Sequence, residues 1–203
     1  MRNARKMIES KKEFKAEIER RFSPEEAEKI WKRSHARLAK IYQRYPDLPK
    51  GVSVHTDAFI FPAAAIYLSI KEVSSDEAYD LVKEVMRTIS SKRGEQLKKM
   101  MKIPGFRYVF LSMWEPVSRK MFGKDAGFEN VFYPKEKGEF RMDITACPYH
   151  KYLTELGCPE INPLFCDNDI YSYGDLPGLR FIRTKTIGSG GDLCDFKLVM
   201  DKK

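Results

Sequence analysis

The stretch EFRMDITACPYHKYLTELG, residues 139–157, contains the change of pattern that decides the fold. Its first nine residues alternate strictly between apolar and polar side chains, which is typical of a strand buried on one side only. Pro148 follows this strand and suits the first position of a helix, and Gly157 can end that helix. The sequence therefore predicts a strand, a helix N-cap at Cys147 and a short helix.

Segments on the C-terminal side repeat the strand pattern. Residues 179–187 and 193–200 alternate in the same way, and short helices are predicted near residues 148–156 and 163–172. We predict an α+β fold, in which an N-terminal helical layer packs on a small antiparallel sheet formed mainly by the C-terminal third. The chain is expected to form a single domain over residues 1–203.

Residues 1–123 are predicted to be mainly helical, and residues 124–203 are predicted to hold the sheet and its short helices. Ser23, Pro24 and Glu26 have the pattern of a capping box at a helix start. Ser74 and Glu77 repeat this pattern further along the chain. Five helices are predicted in the N-terminal part, over residues 4–21, 22–45, 56–72, 74–101 and 106–123.

The Gly-rich stretch TIGSGGDLCDF, residues 186–196, could be a phosphate cradle, a metal-binding knuckle or a tight turn. A phosphate-binding loop needs its glycines between a strand and a helix, because the helix N-terminus faces the phosphate. Here the glycines lie between two predicted strands, and no Gly-Lys-Ser/Thr ending follows. We therefore interpret GSGGD as a hairpin connection whose glycines supply positive φ angles.

The formal net charge of +8 raises the question of a nucleic-acid partner. Much of the basic charge lies in residues 1–22, with eight Lys/Arg against four Glu, and in residues 91–103, with five against one. Aromatic side chains are not interleaved with these charges, and no nucleic-acid-binding motif is present. We interpret the charge as solvated helix faces and predict no specific nucleic-acid binding.

The longest apolar run, residues 58–70, has 13 residues, fewer than the about 20 that cross a bilayer. The N-terminal residues lack the apolar segment of a secretory signal. We therefore expect a cytoplasmic protein without membrane contact, whose four cysteines are reduced. The sequence does not define an oligomeric state.

All four cysteines, Cys147, Cys158, Cys166 and Cys194, lie in the last 57 residues. Each could be a small buried apolar residue or part of a site. Cys147 is expected to be the most reactive thiol, because a helix N-terminus lowers a thiol pKa, and His150 lies in the same turn. Cys194 shares the apolar face of its strand and is expected to be shielded.

Arg183 points inward by strand parity and needs a partner, because burying an unpaired guanidinium is costly. That partner could be Asp167, Asp169 or the carboxylate of a ligand, which a planar guanidinium binds well. Cys166 and the two aspartates could bind a metal, transfer protons or form solvated surface. A zinc site is poorly supported, since no CxxC pair is present, and the sequence requires no cofactor.

Two long segments, FRMDITACPYHKYLTELGCPEINPLFCDNDI and LRFIRTKTIGSGGDLCDFKL, contain the motifs CPY, G-x-PE, FC-x-x-D, F-x-R-x-x-T and CDF. Through these motifs, residues 138–199 resemble the L-2-amino-thiazoline-4-carboxylic acid hydrolase family. The resemblance implies hydrolysis of a cyclic isothiourea carboxylate, a small-molecule substrate, to N-carbamoyl-cysteine. The candidate catalytic residues implied by the motifs are Cys147, Cys166, Asp169 and Cys194, and the candidate substrate-binding residues are Arg183, Thr186 and Asp195.

The chemistry of that reaction suggests individual roles. Cys147 suits a nucleophile, Asp169 an acid or base, and Arg183 the anchor of the substrate carboxylate. A fainter resemblance, through the pattern G-x-x-C-x-F, links the chain to 4-vinyl-reductase-type ligand-binding domains, although their cysteine spacing is missing here. The predicted function is therefore a hydrolase of a small carboxylate-bearing cyclic isothiourea or amide-like substrate. The alternative is a non-catalytic sensor of a small molecule or metal.

Overall fold

The structure is a computed structural model that describes residues 2–201. The helices within this range are α1 (Ala4–Glu9), α2 (Lys12–Arg21), α3 (Pro24–Arg44), α4 (Lys50–His55), α5 (Phe61–Lys71), α6 (Ser75–Met101), α7 (Phe106–Met121), α8 (Pro148–Glu155) and α9 (Asn162–Tyr173). The strands are β1 (Glu129–Phe132), β2 (Glu139–Ala146), β3 (Leu179–Ile182) and β4 (Cys194–Met200). Met1, Lys202 and Lys203 of the predicted domain lie outside the described residues.

The four strands form one open antiparallel sheet in the order β1-β2-β4-β3. In the central pair, Met142 lies opposite Phe196 and Ile144 lies opposite Cys194. The apolar face of this pair packs against Trp114 and its neighbours on α7. The predicted α+β fold, with its sheet in the C-terminal part, is confirmed.

A continuous helical segment, Lys50–Lys71, runs through the main core. It consists of α4, a π-helical turn (Thr56–Ile60) and α5, so the helix predicted over residues 56–72 begins earlier than expected. By length and composition this segment could cross a membrane, but 61% of its most apolar window is buried inside the fold. It is apolar on most sides because α3 and α6 both pack against it.

The helix starts in the N-terminal part agree only partly with those predicted from the sequence. Ser23 and Glu26 form the predicted capping box of α3. The second predicted box is wrong, because Ser74 precedes α6 without a side-chain capping bond. The single helix predicted over residues 4–21 is interrupted at Ser10, whose hydroxyl donates to the backbone of the preceding turn.

The C-terminal strands differ from the prediction at their ends. The strand predicted over residues 179–187 stops at Ile182, and beyond it the backbone N–H groups of Thr184 and Lys185 donate to the carboxylate of Asp195 instead of to a neighbouring strand. Strand β1 was not predicted at all.

The Gly-rich stretch joins β3 to its neighbour β4, so a connection between antiparallel strands is confirmed. It is a longer loop than a tight hairpin and contains a 3₁₀ turn, Ile187–Ser189. Gly190 follows this turn with a φ of 88°, which favours glycine.

Candidate active site

One face of α9 carries a row of polar side chains. Asn162, Cys166, Asp169 and Tyr173 are spaced four, three and four residues apart, so they lie on the same side of the helix. The positions of α9 that contact α6 lie elsewhere on its surface. This row forms one side of the candidate site.

Helix α6 holds α9 in place at close range. Ser90 Oγ donates to Asn168 Oδ1 at 2.7 Å. A Cβ on Gly94 would lie 2.4 Å from the carbonyl oxygen of Tyr171, so only glycine allows this approach of the two helices. The polar row is therefore mounted on a helix with a fixed position.

The Gly-rich loop packs directly on the polar row. A Cβ on Gly188 would lie 2.8 Å from Cys166 Sγ and 3.1 Å from Asn162 Nδ2, so this glycine brings the loop backbone against α9. Thr186 holds the turn, since its Oγ1 accepts from the N–H of Ser189 at 3.2 Å. Thr186 is buried and also interacts with the side chain of Cys166.

Arg183 closes the site from the end of β3. Its Nη1 donates to the carbonyl oxygen of Cys166 at 2.6 Å and to Asp169 Oδ2 at 3.2 Å. Its Nη2 lies 3.9 Å from Asp167 Oδ1, and the side chain is only 7% exposed. Of the partners for Arg183 that the sequence left possible, the structure shows Asp167 and Asp169. Nη1 is engaged by two acceptors and positions Asp169, whereas Nη2 lies beyond hydrogen-bond distance of Asp167, so the carboxylate-anchoring role of Arg183 stays a prediction.

The carboxyl of Asp169 has an unusual environment. Burial raises its pKa from 3.8 to about 6, and the charge and hydrogen bond of Arg183 offset only part of this effect. The side chain nevertheless keeps 39% of its surface exposed. Protein atoms therefore surround part of this carboxyl and solvent reaches the rest, and we refer to this partly open position beside Asp169 as the recess.

Three of the four cysteines meet at this recess. Cys147, Cys166 and Cys194 come from the end of β2, from α9 and from the start of β4, respectively. The ionisation of each of these thiols is linked to that of another and changes its pKa. Cys158 lies apart in the main core, with no exposed surface, and burial raises its pKa to about 12.

The pKa values of the three thiols differ in direction. Interaction with Cys166 lowers the pKa of Cys194, and the N–H of Ile187 also donates to Cys194 Sγ at 3.2 Å. The interaction with Cys194, together with burial, raises the pKa of Cys166. Cys194 is 9% exposed, so it is shielded as expected, and among these three thiols it is the one whose pKa is lowered.

Cys147 is the N-cap of α8, as predicted. Burial nevertheless raises its pKa to about 11, because the loss of solvent outweighs the backbone N–H groups of His150 and Tyr149. The expectation that the helix N-terminus makes Cys147 the thiolate is wrong for this reason. His150 is exposed, with its Nδ1 3.1 Å from Asn162 Nδ2.

The carboxylate of Asp195 binds the backbone of the loop that follows β3. Its carboxylate accepts hydrogen bonds from the N–H groups of Thr184 and Lys185, at 2.9 and 2.8 Å, and from the Thr184 hydroxyl at 2.8 Å. Burial alone would raise its pKa, but these donors lower it further than burial raises it. We therefore reassign Asp195 from the predicted substrate-binding role to one of positioning the loop.

Two tyrosines that the sequence reasoning missed line the recess. Burial raises the pKa of Tyr149, and the charges of Cys147 and Asp169 act in the same direction. Burial and the charge of Asp169 also raise the pKa of Tyr173. The spacing of Tyr173 in the polar row of α9 could have revealed it, whereas Tyr149 carried no such signal.

The hydroxyl of Tyr149 is already engaged. His55 Nε2 lies 2.7 Å from the carbonyl oxygen of Met121, and burial lowers the pKa of His55. The ring is therefore neutral, and Nε2 carries the proton that it donates to this carbonyl. His55 Nδ1 then accepts from Tyr149 Oη, 3.0 Å away. Tyr149 is thus held as a wall of the recess.

Within residues 2–201, no group of three or more His, Cys, Asp or Glu side chains is arranged to hold a metal ion. What the arrangement offers chemically is a carboxyl that ionises close to neutral pH, a thiol with a lowered pKa and two thiols that stay protonated.

The chain was compared with known protein families and structures. The family model for L-2-amino-thiazoline-4-carboxylic acid hydrolase matches residues 54–198. No curated protein and no solved structure matches the chain. The matched range begins in α4, well before the motif region, and includes every candidate site residue. Because the family model covers most of the chain, this protein belongs to the L-2-amino-thiazoline-4-carboxylic acid hydrolase family.

Proposed function

We propose that this protein hydrolyses a small cyclic isothiourea that carries a carboxylate, as the family name suggests. The observation that carries the proposal is the state of Asp169. Its pKa of about 6 lets it hold or release a proton close to neutral pH, which is the property of an efficient acid–base catalyst. It is held by Arg183, and 39% of its side-chain surface is open to solvent.

The reaction needs two protons to be moved, because water adds across the C=N bond before the C–S bond breaks. Asp169 takes a proton from water, and the water oxygen bonds to the ring carbon that lies between sulfur and nitrogen. The electron pair of the C=N bond moves to the nitrogen, which takes the proton from Asp169. Asp169 then takes the hydroxyl proton of this adduct while the carbonyl forms and the bond from the carbon to the ring sulfur breaks. The sulfur leaves as a thiolate and takes this second proton from Asp169. The product is an N-carbamoyl amino thiol, and Asp169 returns to its ionised state.

Arg183 keeps Asp169 in the orientation that this transfer needs. The bond from Nη1 to Oδ2 fixes one carboxyl oxygen and leaves the other for water. The same guanidinium fixes the backbone of Cys166, so the acid–base group and the thiols move together. Positioning of this kind can contribute several kcal/mol to a reaction.

The thiols at the recess differ in the direction of their pKa shifts. Cys147 and Cys166 have raised pKa values and stay protonated at neutral pH. Cys194 has a lowered pKa and is the residue that a covalent route would use. We assign the attack to water, since Cys194 is nearly buried while Asp169 is open to the recess.

The proposal is tested with purified protein and 2-amino-thiazoline-4-carboxylate. Mass spectrometry should show conversion to a product heavier by one water, and a thiol reagent should detect its new thiol. The carboxamide of the same substrate serves as a comparison for the carboxylate. Tight binding without conversion would contradict hydrolysis and favour the non-catalytic sensor.

A further inference from the structure

Helix α7 carries an apolar row on its outer face. Val109, Met113 and Val117 follow one another at intervals of four residues, so they lie on one side of the helix. They keep 57%, 53% and 45% of their surface exposed. Within residues 2–201, six of the eleven exposed large apolar side chains lie in the stretch 100–117. Single exposed apolar residues are ordinary, whereas a group of neighbouring ones marks an interaction surface.

The inner side of α7 fixes the direction of this row. The ring of Trp114 stacks on Phe196 of β4, with the ring centroids 5.6 Å apart, and meets Tyr173 of α9 edge to face at 4.8 Å. Trp114 follows Met113 by one residue and is turned about 100° from it around the helix. The helix is therefore held from its sheet side, and Met113 cannot turn inward without loss of these contacts.

Residues 91–124, which contain the end of α6 and all of α7, carry most of the net charge. They hold nine Lys/Arg against two Glu, a net +7 out of the formal +8. Both glutamates are paired inside this stretch, Glu95 with Lys98 and Glu115 with Arg119. The remaining positive charge is not balanced by acidic residues of the same stretch.

Three lysines near the apolar row are exposed and make no ion pair within the part of the chain that the structure describes. Lys120 follows Val117 by three residues and lies on the same face of α7. Lys102 precedes the exposed Ile103 in the turn that leads into α7, and Lys99 ends the preceding turn of α6. The apolar row therefore has unpaired basic side chains at both ends.

This charge selects the kind of partner. A second copy of the chain, placed row against row, would bring a net +7 onto another +7, so self-association on this face is opposed. A nucleic acid would match the charge, but it offers a polar surface to the apolar row. A bilayer surface with anionic lipids satisfies both features, because its headgroups attract lysines and its acyl boundary takes up apolar side chains.

We propose that α7 and the turn before it bind the surface of a membrane that contains anionic lipids. Val109, Met113 and Val117 enter the boundary between headgroups and acyl chains, and Lys102 and Lys120 lie among the headgroups. The expectation of no membrane contact rests on the length of the apolar runs, which bears on crossing a bilayer and not on binding to its surface. The inference does not depend on the proposed hydrolysis.

Flotation of the full chain with vesicles tests this inference without any variant. Vesicles of phosphatidylcholine alone are compared with vesicles of phosphatidylcholine and phosphatidylglycerol in equal parts. The protein should float with the mixed vesicles at low ionic strength and stay in solution with phosphatidylcholine alone. At about 1 M salt, where the Debye length is about 3 Å, binding to the mixed vesicles should fall about 10-fold or more.

Two variants test the two parts of the surface separately. Lys102→Gln combined with Lys120→Gln should weaken binding to the mixed vesicles about 10- to 30-fold, since each basic residue near the surface contributes about fivefold. Val117→Glu should weaken binding at least as much, because it places a carboxylate against acyl chains. All three positions are exposed, so these changes should leave the fold intact, which thermal melts check.

Matched controls make the same changes elsewhere on the surface. Lys29→Gln combined with Lys40→Gln removes two exposed charges of α3, and Val54→Glu alters a valine of α4 that is 46% exposed. Neither control should change binding. Equal binding to both kinds of vesicle, binding to neither, or equal losses in variants and controls would overturn the inference. A dimer, or binding to duplex DNA without binding to vesicles, that Val117→Glu abolishes would also overturn it.

Discussion

Arg183 and Asp169 form an ion pair, with Nη1 3.2 Å from Oδ2, that joins the loop after β3 to the polar row of α9. The pair places a positive charge beside the recess without holding the carboxyl fully ionised, because burial still keeps the pKa of Asp169 above its ordinary value.

The raised pKa of Asp169 predicts a pH-dependent effect on stability. Because the folded value of about 6 lies above the ordinary 3.8, the stabilising contribution is complete below the ordinary value and is lost as pH rises through about 6. The amide of the Asp169→Asn variant does not ionise. We expect this variant to melt at a higher temperature than the unmodified protein at pH 7.5 and at the same temperature at pH 4. Thermal melts at both pH values measure this, with Asp175→Asn, which removes an exposed carboxylate just after α9, as the control. A lower melting temperature at pH 7.5 would mean that loss of the Arg183 pair dominates.

The rate of hydrolysis should depend on the same ionisation. If ionised Asp169 takes the proton from water, kcat/KM should be constant near neutral pH and fall about tenfold per pH unit below about 6. Initial rates between pH 4.5 and 8 measure this profile. A rate that stays constant down to pH 5 would exclude Asp169 as the base.

Three of the four thiols should react in a defined order. Thiolates alkylate far faster than thiols, so we expect iodoacetamide at neutral pH to label Cys194, whose pKa is lowered, before Cys147, although the 9% exposure of Cys194 slows the reaction. Cys158 should be labelled last, since it has no exposed surface and a pKa of about 12. Peptide mapping over time gives the order, and Cys194→Ser should remove the fastest step. Labelling of Cys147 first would show that the helix N-terminus lowers its pKa more than burial raises it.

The carboxylate of Asp195 should matter for stability. Asp195→Ala removes the acceptor of the Thr184 and Lys185 N–H groups, at a cost of about 1–3 kcal/mol. Because its folded pKa is lowered, the contribution is present above the ordinary carboxyl value and is lost as pH falls through the lower folded value. Urea unfolding at pH 7 measures the loss. Asp192→Ala, which removes an exposed partner of Lys185, is the control and should cost less than about 1 kcal/mol. Equal losses would contradict the loop-positioning role.

Parts of the fold were predictable because their signals are local. The alternation before Cys147 and the proline after it define β2 and α8 within two residues. Strand β1 carried no such signal, since it lies at the edge of the sheet and its Val131 faces solvent. The break at Ser10 was missed because the flanking residues are all good helix formers.

The chemistry of the site was less predictable, because it depends on residues distant in sequence. A helix N-terminus is visible at Cys147, but the burial that raises its pKa comes from the surrounding fold. Cys194 acquires its lowered pKa from Cys166, which belongs to another element.

The rate of 2-amino-thiazoline-4-carboxylate hydrolysis, compared between the unmodified protein and Asp169→Asn, tests the central claim most directly. Asp175→Asn is the matched control, because it removes a carboxylate that follows the same helix, is 90% exposed and pairs with Lys98 instead of Arg183. We expect the unmodified protein and Asp175→Asn to form the product heavier by one water at similar rates, and Asp169→Asn to be slower by about 10²- to 10⁴-fold. No product from the unmodified protein, or an equal rate from Asp169→Asn, would contradict the account.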